Sequence, residues 1–505
     1  MDQALALEIM LSGESALLTG PAGSGKTFVL GQFIRLAKGM GKTVAVTATT
    51  GLAASHLSGS TIHAWSGIGI YDTLPPNFAS NMSKSRRDII MNTDVLIIDE
   101  ISMLHDFRLD IVDQVARLVR GDERPFGGIQ VILSGDFFQL PPVNRRGERS
   151  GGFVVGSASW MELNPAVLYL EEQHRQDDQT FLEVLNALRA GDMRRRHVAA
   201  LIERIDTPLA GAVTELHTTN ADVDWINSAQ LEAMAGDEHR YQMHTTGKSN
   251  YVESLKRSCL APEELALKDG ALVMCIKNSQ DRKYVNGSLG IVTGFEALTD
   301  FPIVTLRNGR RLTITPETWE LRDGDKKRAS LSQLPLRLAW AITVHKSQGM
   351  TLDAARIDLR RAFVEGMGYV ALSRVRGLDT LSLVGINNMA LKVSPAALAL
   401  NETLKLQGAA DALRFAGLAA AAKARKDVPE PKAKTASNWA ARLETMRQAH
   451  PNAFKPWKSE DDVRLQELFG QGLGLESLAR ALGRQPGSIA ARLKKHFGDD
   501  VELKV

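Results

Sequence analysis

The chain has 505 residues, of which 44% are hydrophobic and 24% charged, a soluble composition long enough for roughly three or more compact units. Its net charge of +3 at pH 7 excludes a uniform polycation, so any nucleic-acid contact has to come from local basic surfaces. The two cysteines, Cys259 and Cys275, fit neither a zinc spacing nor a disulfide framework, and are expected as core or strand thiols in a reducing compartment.

The N-terminal stretch "MDQALALEIMLSGESALLTG" carries no basic leader, and no apolar run approaches the roughly 18 residues a membrane helix needs. The expected location is therefore the cytoplasm, with no membrane partner. Up to residue 165, short unbroken apolar runs ("SALLTG", "TVAVTAT", "DVLIIDE", "VILSGD") alternate with helical patterns. Unbroken runs are what strands covered by helices on both faces should show, which predicts an α/β lobe over 1–165.

Between the first strand and the helix after it lies "GPAGSGKT", which fits G-x-x-x-x-G-K-[ST]. In that pattern the loop Gly20, Pro21, Ala22, Gly23, Ser24 and Gly25 cradles phosphates with its backbone. Lys26 reaches the β- and γ-phosphates and the Thr27 hydroxyl ligates Mg²⁺, which points to ATP and Mg²⁺. "VLIIDE" ends a strand in two carboxylates: Asp99 suits Mg²⁺, and Glu100 suits orienting and deprotonating the attacking water. The stretch "PFGGIQVILSGDFFQLPPV" is a strand with a polar ending. Ligands of parallel sheets sit at carboxyl strand ends, so Asp136 and Gln139 are expected to face a nucleotide cleft. Gln139 is then a γ-phosphate sensor, with a simple turn amide as the alternative; Phe137 and Phe138 anchor the turn, and Pro141 and Pro142 stiffen it.

A second α/β region is expected over 166–269 and 331–395. "AVTELHTTN" and "LSLVGI" look like its strands, "ADVDWINSAQLEAMAG" and "GYVALSRVRG" like its helices. Arg175 of "EEQHRQ" and Arg374 of "SRVRG" are of the residue type that clamps phosphoryl charge. Each alone fits a salt bridge equally well; together they suggest an ATP site between two lobes. Residues 270–330 contain Asn-Gly at 286–287 and 308–309 between β-rich runs, a hairpin signal that predicts a small inserted antiparallel β-barrel. Residues 396–456 combine "AGLAAAAKARK" with "DVPEPKAKTASN" and look like a helical and basic linker. Residues 457–498 suggest a small all-α module of three short helices. Its expected core is Trp457, Leu465, Leu468, Phe469, Leu478 and Leu482, with Arg484, Arg492, Lys494 and Lys495 on a basic edge.

The runs "GPAGSGKT", "ATTGLAA", "GSTIHAWSGIG", "LIIDEISML", "PFGGIQVILSGDFFQLPPV", "EQHRQ", "AWAITVHKSQGMTL" and "GYVALSRVRG" stand in the order of superfamily-one DNA helicase motifs. They most resemble the Pif branch, relatives of RecD, over about residues 1–395. The resemblance implies two RecA-like lobes with ATP between them and single-stranded DNA across both. It also implies translocation from 5′ to 3′ by a monomer that unwinds tailed duplexes and DNA–RNA hybrids, with G-quadruplexes as a further candidate substrate, in genome maintenance. By the same resemblance Gln3 reads adenine, Gln139 becomes the sensor, and Arg175 and Arg374 become trans-lobe arginines. Ser347, Gln348 and Gly349 link DNA to ATP.

Thr49, His63, Trp65, Thr343, His345 and Lys346 are the implied DNA contacts, though Trp65 suits the core or a small β-wedge near 66–85 as well as a base. Thr219 and Asn220 fit the family, or simply a helix N-cap. The C-terminal module resembles Myb/SANT-like or helix-turn-helix domains, which makes Arg492 and Lys495 candidate DNA contacts; protein docking or a solvated face are the alternatives. Two other functions fit the motifs: a RecD-like subunit of a recombination complex, and a DNA-stimulated ATPase that remodels protein–DNA complexes. The compactness of the chain suggests a bacterial nucleoid enzyme.

Overall fold

The computed structural model describes residues 1–426 apart from 58, 70–71, 145–148, 174–177, 210–212, 260, 278, 280–282, 285, 307–308 and 324–325, and then 451–452, 459–484, 489, 492–493 and 496–497. Contacts divide the chain into two compact units, Met1–Asp427 and Val428–Val505.

In the first unit, six parallel strands form one sheet: β1 Ala16–Thr19, β2 Val44–Ala48, β3 Ser60–Thr61, β4 Val95–Asp99, β5 Gln130–Gly135 and β6 Ala166–Tyr169. Their spatial order is β3-β2-β4-β5-β1-β6. Leu17, Leu96, Ile98, Leu133 and Val167 bury one face, while Ala16, Leu18, Ile97, Ile132 and Leu168 bury the other. Both faces being covered explains why the runs are unbroken. β6 pairs residue for residue with β1, Ala16 against Ala166, so the first sheet extends past 165.

The second lobe is a four-stranded parallel sheet ordered Ala341–Thr343, Thr214–His217, Ala355–Leu359, Leu381–Ile386. Between its halves lie antiparallel sheets, which no pairing among the described residues closes into a barrel. One runs Arg311–Thr313, Pro302–Leu306, Leu289–Phe295, Leu272–Cys275, Leu336–Leu338; another joins the hairpin Glu317–Asp323 and Lys326–Gln333 to His244–Gly247. They recruit strands from outside 270–330. Asn286–Gly287 does not make a two-residue hairpin: Gly287, at φ +89°, ends a longer loop and donates to Cys275 O at 2.8 Å. Asn308 lies outside the described residues. Cys275 is buried in its strand and Cys259 is half-buried; burial pushes their thiols up to about 12 and about 11.

The wedge expected near 66–85 contains no strand among the described residues. It holds the helices Phe78–Asn81 and Lys84–Asn92, the second capped by Ser83, whose hydroxyl accepts from Arg86 N. The presumed linker begins as the helix Pro395–Arg414, which lies along β6. Asp411 Oδ2 accepts from Val167 N at 2.8 Å and Asn401 Oδ1 from Tyr169 OH at 2.8 Å, so the helix covers an otherwise open sheet edge. The stretch "DVPEPKAKTASN" lies outside the described residues.

In the second unit, the helices Ser459–Gly470 and Leu475–Leu482, with the helical residues Ile489, Arg492, Leu493, His496 and Phe497, close around Leu465, Leu478, Ala479, Leu482, Ile489 and Leu493. Leu468 and Phe469 pack against that core; Trp457 lies outside the described residues.

Candidate nucleotide site and nucleic-acid face

The carboxyl ends of β1, β4 and β5 converge on the loop Gly20–Gly25, and the helix Lys26–Gly39 starts directly behind it. Gly20, Gly23 and Gly25 have φ of +144°, +85° and +85°. A Cβ at Gly20 would stand 2.3 Å from Leu170 O, so only glycine lets the backbone pass. Pro21 and Ala22 are buried, and Ser24 N donates to Pro21 O at 3.2 Å to close the turn. Lys26 Nζ donates to Gly20 O at 2.9 Å and Pro21 O at 3.0 Å. Burial lowers its pKa, against the raising effect of Asp136, Glu100 and Asp99. Thr27 is exposed on the first turn. Gln3 Nε2 donates to Ser24 O at 3.1 Å. Its helix is not frayed: Asp2 caps it through Leu5 N, and the Met1 ammonium donates to Tyr169 O at 3.0 Å.

Asp99 ends β4, and Glu100 follows in the left-handed region at φ +53°, unusual for a residue with a side chain. Thr49 braces the pair: its N donates to Asp99 O and its hydroxyl to Glu100 O at 3.0 Å. Burial, and then the charge of Asp99, push Glu100 up to about 7, while Lys26, Arg374 and a Gln348 hydrogen bond oppose the shift. Burial raises Asp99 as well. Gln348 crosses from the second lobe, donating Nε2 to Glu100 Oε2 at 3.1 Å, and Gly349 turns the chain behind it at φ +76°.

Arg374 is 1% exposed. It donates to Val370 O at 2.7 Å, to Ser373 Oγ at 2.7 Å, and to Ser347 O and Met350 O at 3.3 and 3.2 Å. The guanidinium thus grips the carbonyls on either side of Gln348–Gly349. Arg175 lies outside the described residues.

Asp136 does not sit open to the cleft. It is wholly buried in an ion pair with Arg189 of the second lobe, Nη1 to Oδ1 2.6 Å. The Arg189 guanidinium lies 4.2 Å from the Phe138 ring centroid and meets Tyr369 OH at 3.3 Å, Tyr169 OH at 3.4 Å and Asn401 Oδ1 at 3.5 Å. Sequence reasoning passed over Arg189. The available signal was its place on the apolar stripe of the helix Gln179–Arg189, with Phe181, Leu185 and Leu188. Gln139 is buried; its backbone N donates to Asp136 O at 3.0 Å, and its Oε1 has no hydrogen-bond partner among the described residues.

The expected DNA contacts separate. Burial, with Arg108 and His105 nearby, brings His63 down to about 4, so its imidazole is neutral. Trp65, on the same short helix Ile62–Ser66, is 5% exposed and packs into the first lobe's core, leaving no face for a base. Thr343 is also buried, its hydroxyl spent accepting from Lys346 N at 3.3 Å. His345 and Lys346 are half-buried with pKa values lowered by burial, and the exposed ring of Phe363 stacks 6.2 Å from His345. Thr219 is the N-cap of the helix Asn220–Ala233. Arg492 is consumed inside its module, donating to Asp462 Oδ1 at 2.6 Å, as Arg484 does to Asp461 at 2.8 Å. Lys494 and Lys495 lie outside the described residues.

Residues 1–198 match the family model described as PIF1-like helicase, and 250–295 match that of the DNA helicase Pif1 2B domain. The chain is 40% identical over 458 residues to the ATP-dependent DNA helicase Pif1 of Psychrobacter sp. (strain PRwf-1), covering 79% of this chain and 70% of that one. It is similar to Bacteroides sp. Pif1 solved with ADP-AlF4, with TM-score 0.70 and 31% identity over 81% of this chain and 97% of that one. A Bacteroides Pif1 structure with ADP-AlF3 and ssDNA gives TM-score 0.60 and 32% identity over 79% and 96% of the two chains. Two parallel-sheet lobes meeting at a phosphate loop, matched along most of the chain to such relatives, mean that it belongs to the Pif1-like family of ATP-dependent DNA helicases.

Proposed function

We propose that the chain hydrolyses ATP between its lobes to move from 5′ to 3′ along single-stranded DNA, unwinding tailed duplexes as a monomer. The observation that carries this reading is the hydrogen bond from Gln348 to Glu100, which places a second-lobe residue on the acid that faces the phosphate loop. The Bacteroides relative solved with ssDNA and a nucleotide analogue supports the choice of partner.

On ATP binding, Lys26 exchanges the carbonyls of Gly20 and Pro21 for phosphate oxygens, and the loop amides wrap the phosphates. Asp99 and the Thr27 hydroxyl fit Mg²⁺, which prefers one or two carboxylates plus phosphate oxygens and water. Adjacent carboxylates whose pKa values are both raised form a pair that a cation would relieve. Bound there, Mg²⁺ supplies charge neutralisation on the phosphates. Glu100 takes the proton of the attacking water, Gln139 offers its unpartnered Oε1, and Arg374 sits beside the loop that carries Gln348. Arg175 stays the proposed second clamp. DNA would cross the His345–Lys346 turn and the edge bearing His63. DNA–RNA hybrids and G-quadruplexes are further proposed substrates.

The test is ATP hydrolysis with and without oligo(dT), alongside strand separation, with Lys26→Ala as control. DNA-stimulated hydrolysis with separation, both lost in Lys26→Ala, supports the reading. Stimulated hydrolysis without separation of any tailed duplex favours a remodelling ATPase instead.

A further inference from the structure

Tyr369 belongs to the second lobe, on the short helix Met367–Leu372 that leads to Arg374, yet its phenol lies against the first lobe's phosphate loop. The oxygen accepts from Ala22 N at 2.9 Å, stands 3.3 Å from Arg189 Nη1 and donates to Asp136 Oδ2 at 3.2 Å. One donor and two acceptor positions are all that a phenol offers, so every one is used. The ring is 2% exposed. The helix has no slack on either side of it. A Cβ at Gly366 would stand 2.6 Å from Phe138 O, and one at Gly368 2.0 Å from Ala390 O. Beyond the helix, Arg374 holds the carbonyls of Ser347 and Met350, between which Gln348 reaches Glu100. A continuous set of contacts therefore runs from the phosphate loop through Tyr369 and Arg374 to the hydrolytic acid.

We infer that Tyr369 is a positioning residue for hydrolysis: its hydroxyl, held between the Ala22 amide and the Asp136 carboxylate, registers the Arg374 segment against the phosphate loop. A change in the loop on phosphate binding then moves Arg374 and Gln348 together, and Asp136, with Arg189 beside it, serves as the fixed anchor. The inference rests on the proposed ATP hydrolysis between the lobes.

Tyr369→Phe keeps the ring and removes only the hydroxyl. The full chain is assayed for ATP hydrolysis at saturating oligo(dT), with rates normalised to sites titrated with a fluorescent ATP analogue so that unfolded chains do not count. The expected result is a kcat lower by roughly tenfold with KM for ATP changed by less than about twofold, the split produced by losing an interaction that matters in the transition state. A kcat within about twofold of the parent chain, or a loss carried by KM alone, overturns the inference. If the parent chain itself shows no DNA-stimulated hydrolysis, the helicase reading fails and takes this inference with it. An active parent with an equally active Tyr369→Phe sinks the inference alone.

Discussion

Glu100 holds its proton well above the ordinary carboxylate range. Its pKa of about 7, raised mainly by burial, means that folding takes up a proton over the interval from the ordinary carboxylate value to about 7. The stabilisation is present at low pH and is lost as pH rises through the folded value. Glu100→Gln removes the ionisation, so without nucleotide its unfolding temperature should gain on the parent as pH goes from about 5 to about 8. Parallel curves would show that Glu100 is not the group that titrates. Gln139 makes a different prediction, because its buried Oε1 lacks a hydrogen-bond partner among the described residues. Gln139→Ala should lower unwinding by roughly tenfold, the scale of one hydrogen bond, here accepted from the attacking water, with little change in binding of a fluorescent ATP analogue. Lost binding with intact unwinding per bound nucleotide would contradict the sensor role. The places of Lys26 and Glu100 were legible, because a glycine-rich loop before a helix and a strand ending in two carboxylates leave a clear pattern in the sequence. Arg189 was not: an arginine in a helix's last turn usually caps it in solvent, and only the buried Asp136 pulls this one inward.

Among the elements, the unbroken apolar runs predicted β1, β2, β4 and β5 of the first lobe, because a strand buried on both faces leaves that pattern and little else does. The helix Pro395–Arg414 was expected only as part of a helical and basic linker, and its docking was hidden for the opposite reason. Its buried positions are Ala397, Asn401, Leu404 and Gly408, a stripe too small and polar to stand out although it docks on β6. The antiparallel region was recognised by texture, but its pairings depend on strands far apart in sequence, such as Lys326–Gln333 with His244–Gly247. In the C-terminal module, the basic edge inferred from sequence is partly used up by Asp461 and Asp462. Arg492→Ala should therefore loosen that module by about 1 kcal/mol, a modest figure because the pair is screened by solvent. Faster hydrogen exchange over 459–497 would register it, while the salt dependence of the full chain's DNA affinity stays unchanged. A slope reduced by about one unit would instead make Arg492 a phosphate contact.

For the whole molecule, what matters is that the proposed hydrolytic site is shared. Gln348 touches Glu100, Arg189 is paired with Asp136, and Tyr369 meets the phosphate loop, so the lobes cannot shift relative to one another without changing the environment of the nucleotide. That coupling is what a motor needs. No described helix is long and apolar enough to cross a membrane. The most direct measurement compares ATP-dependent unwinding of a duplex with a 5′ single-stranded tail against the same duplex with a 3′ tail, with Lys26→Ala as the control for dependence on ATP. Strand separation from the 5′ tail, absent with the 3′ tail and lost in Lys26→Ala, is the predicted result; separation from the 3′ tail alone would contradict the proposed movement from 5′ to 3′.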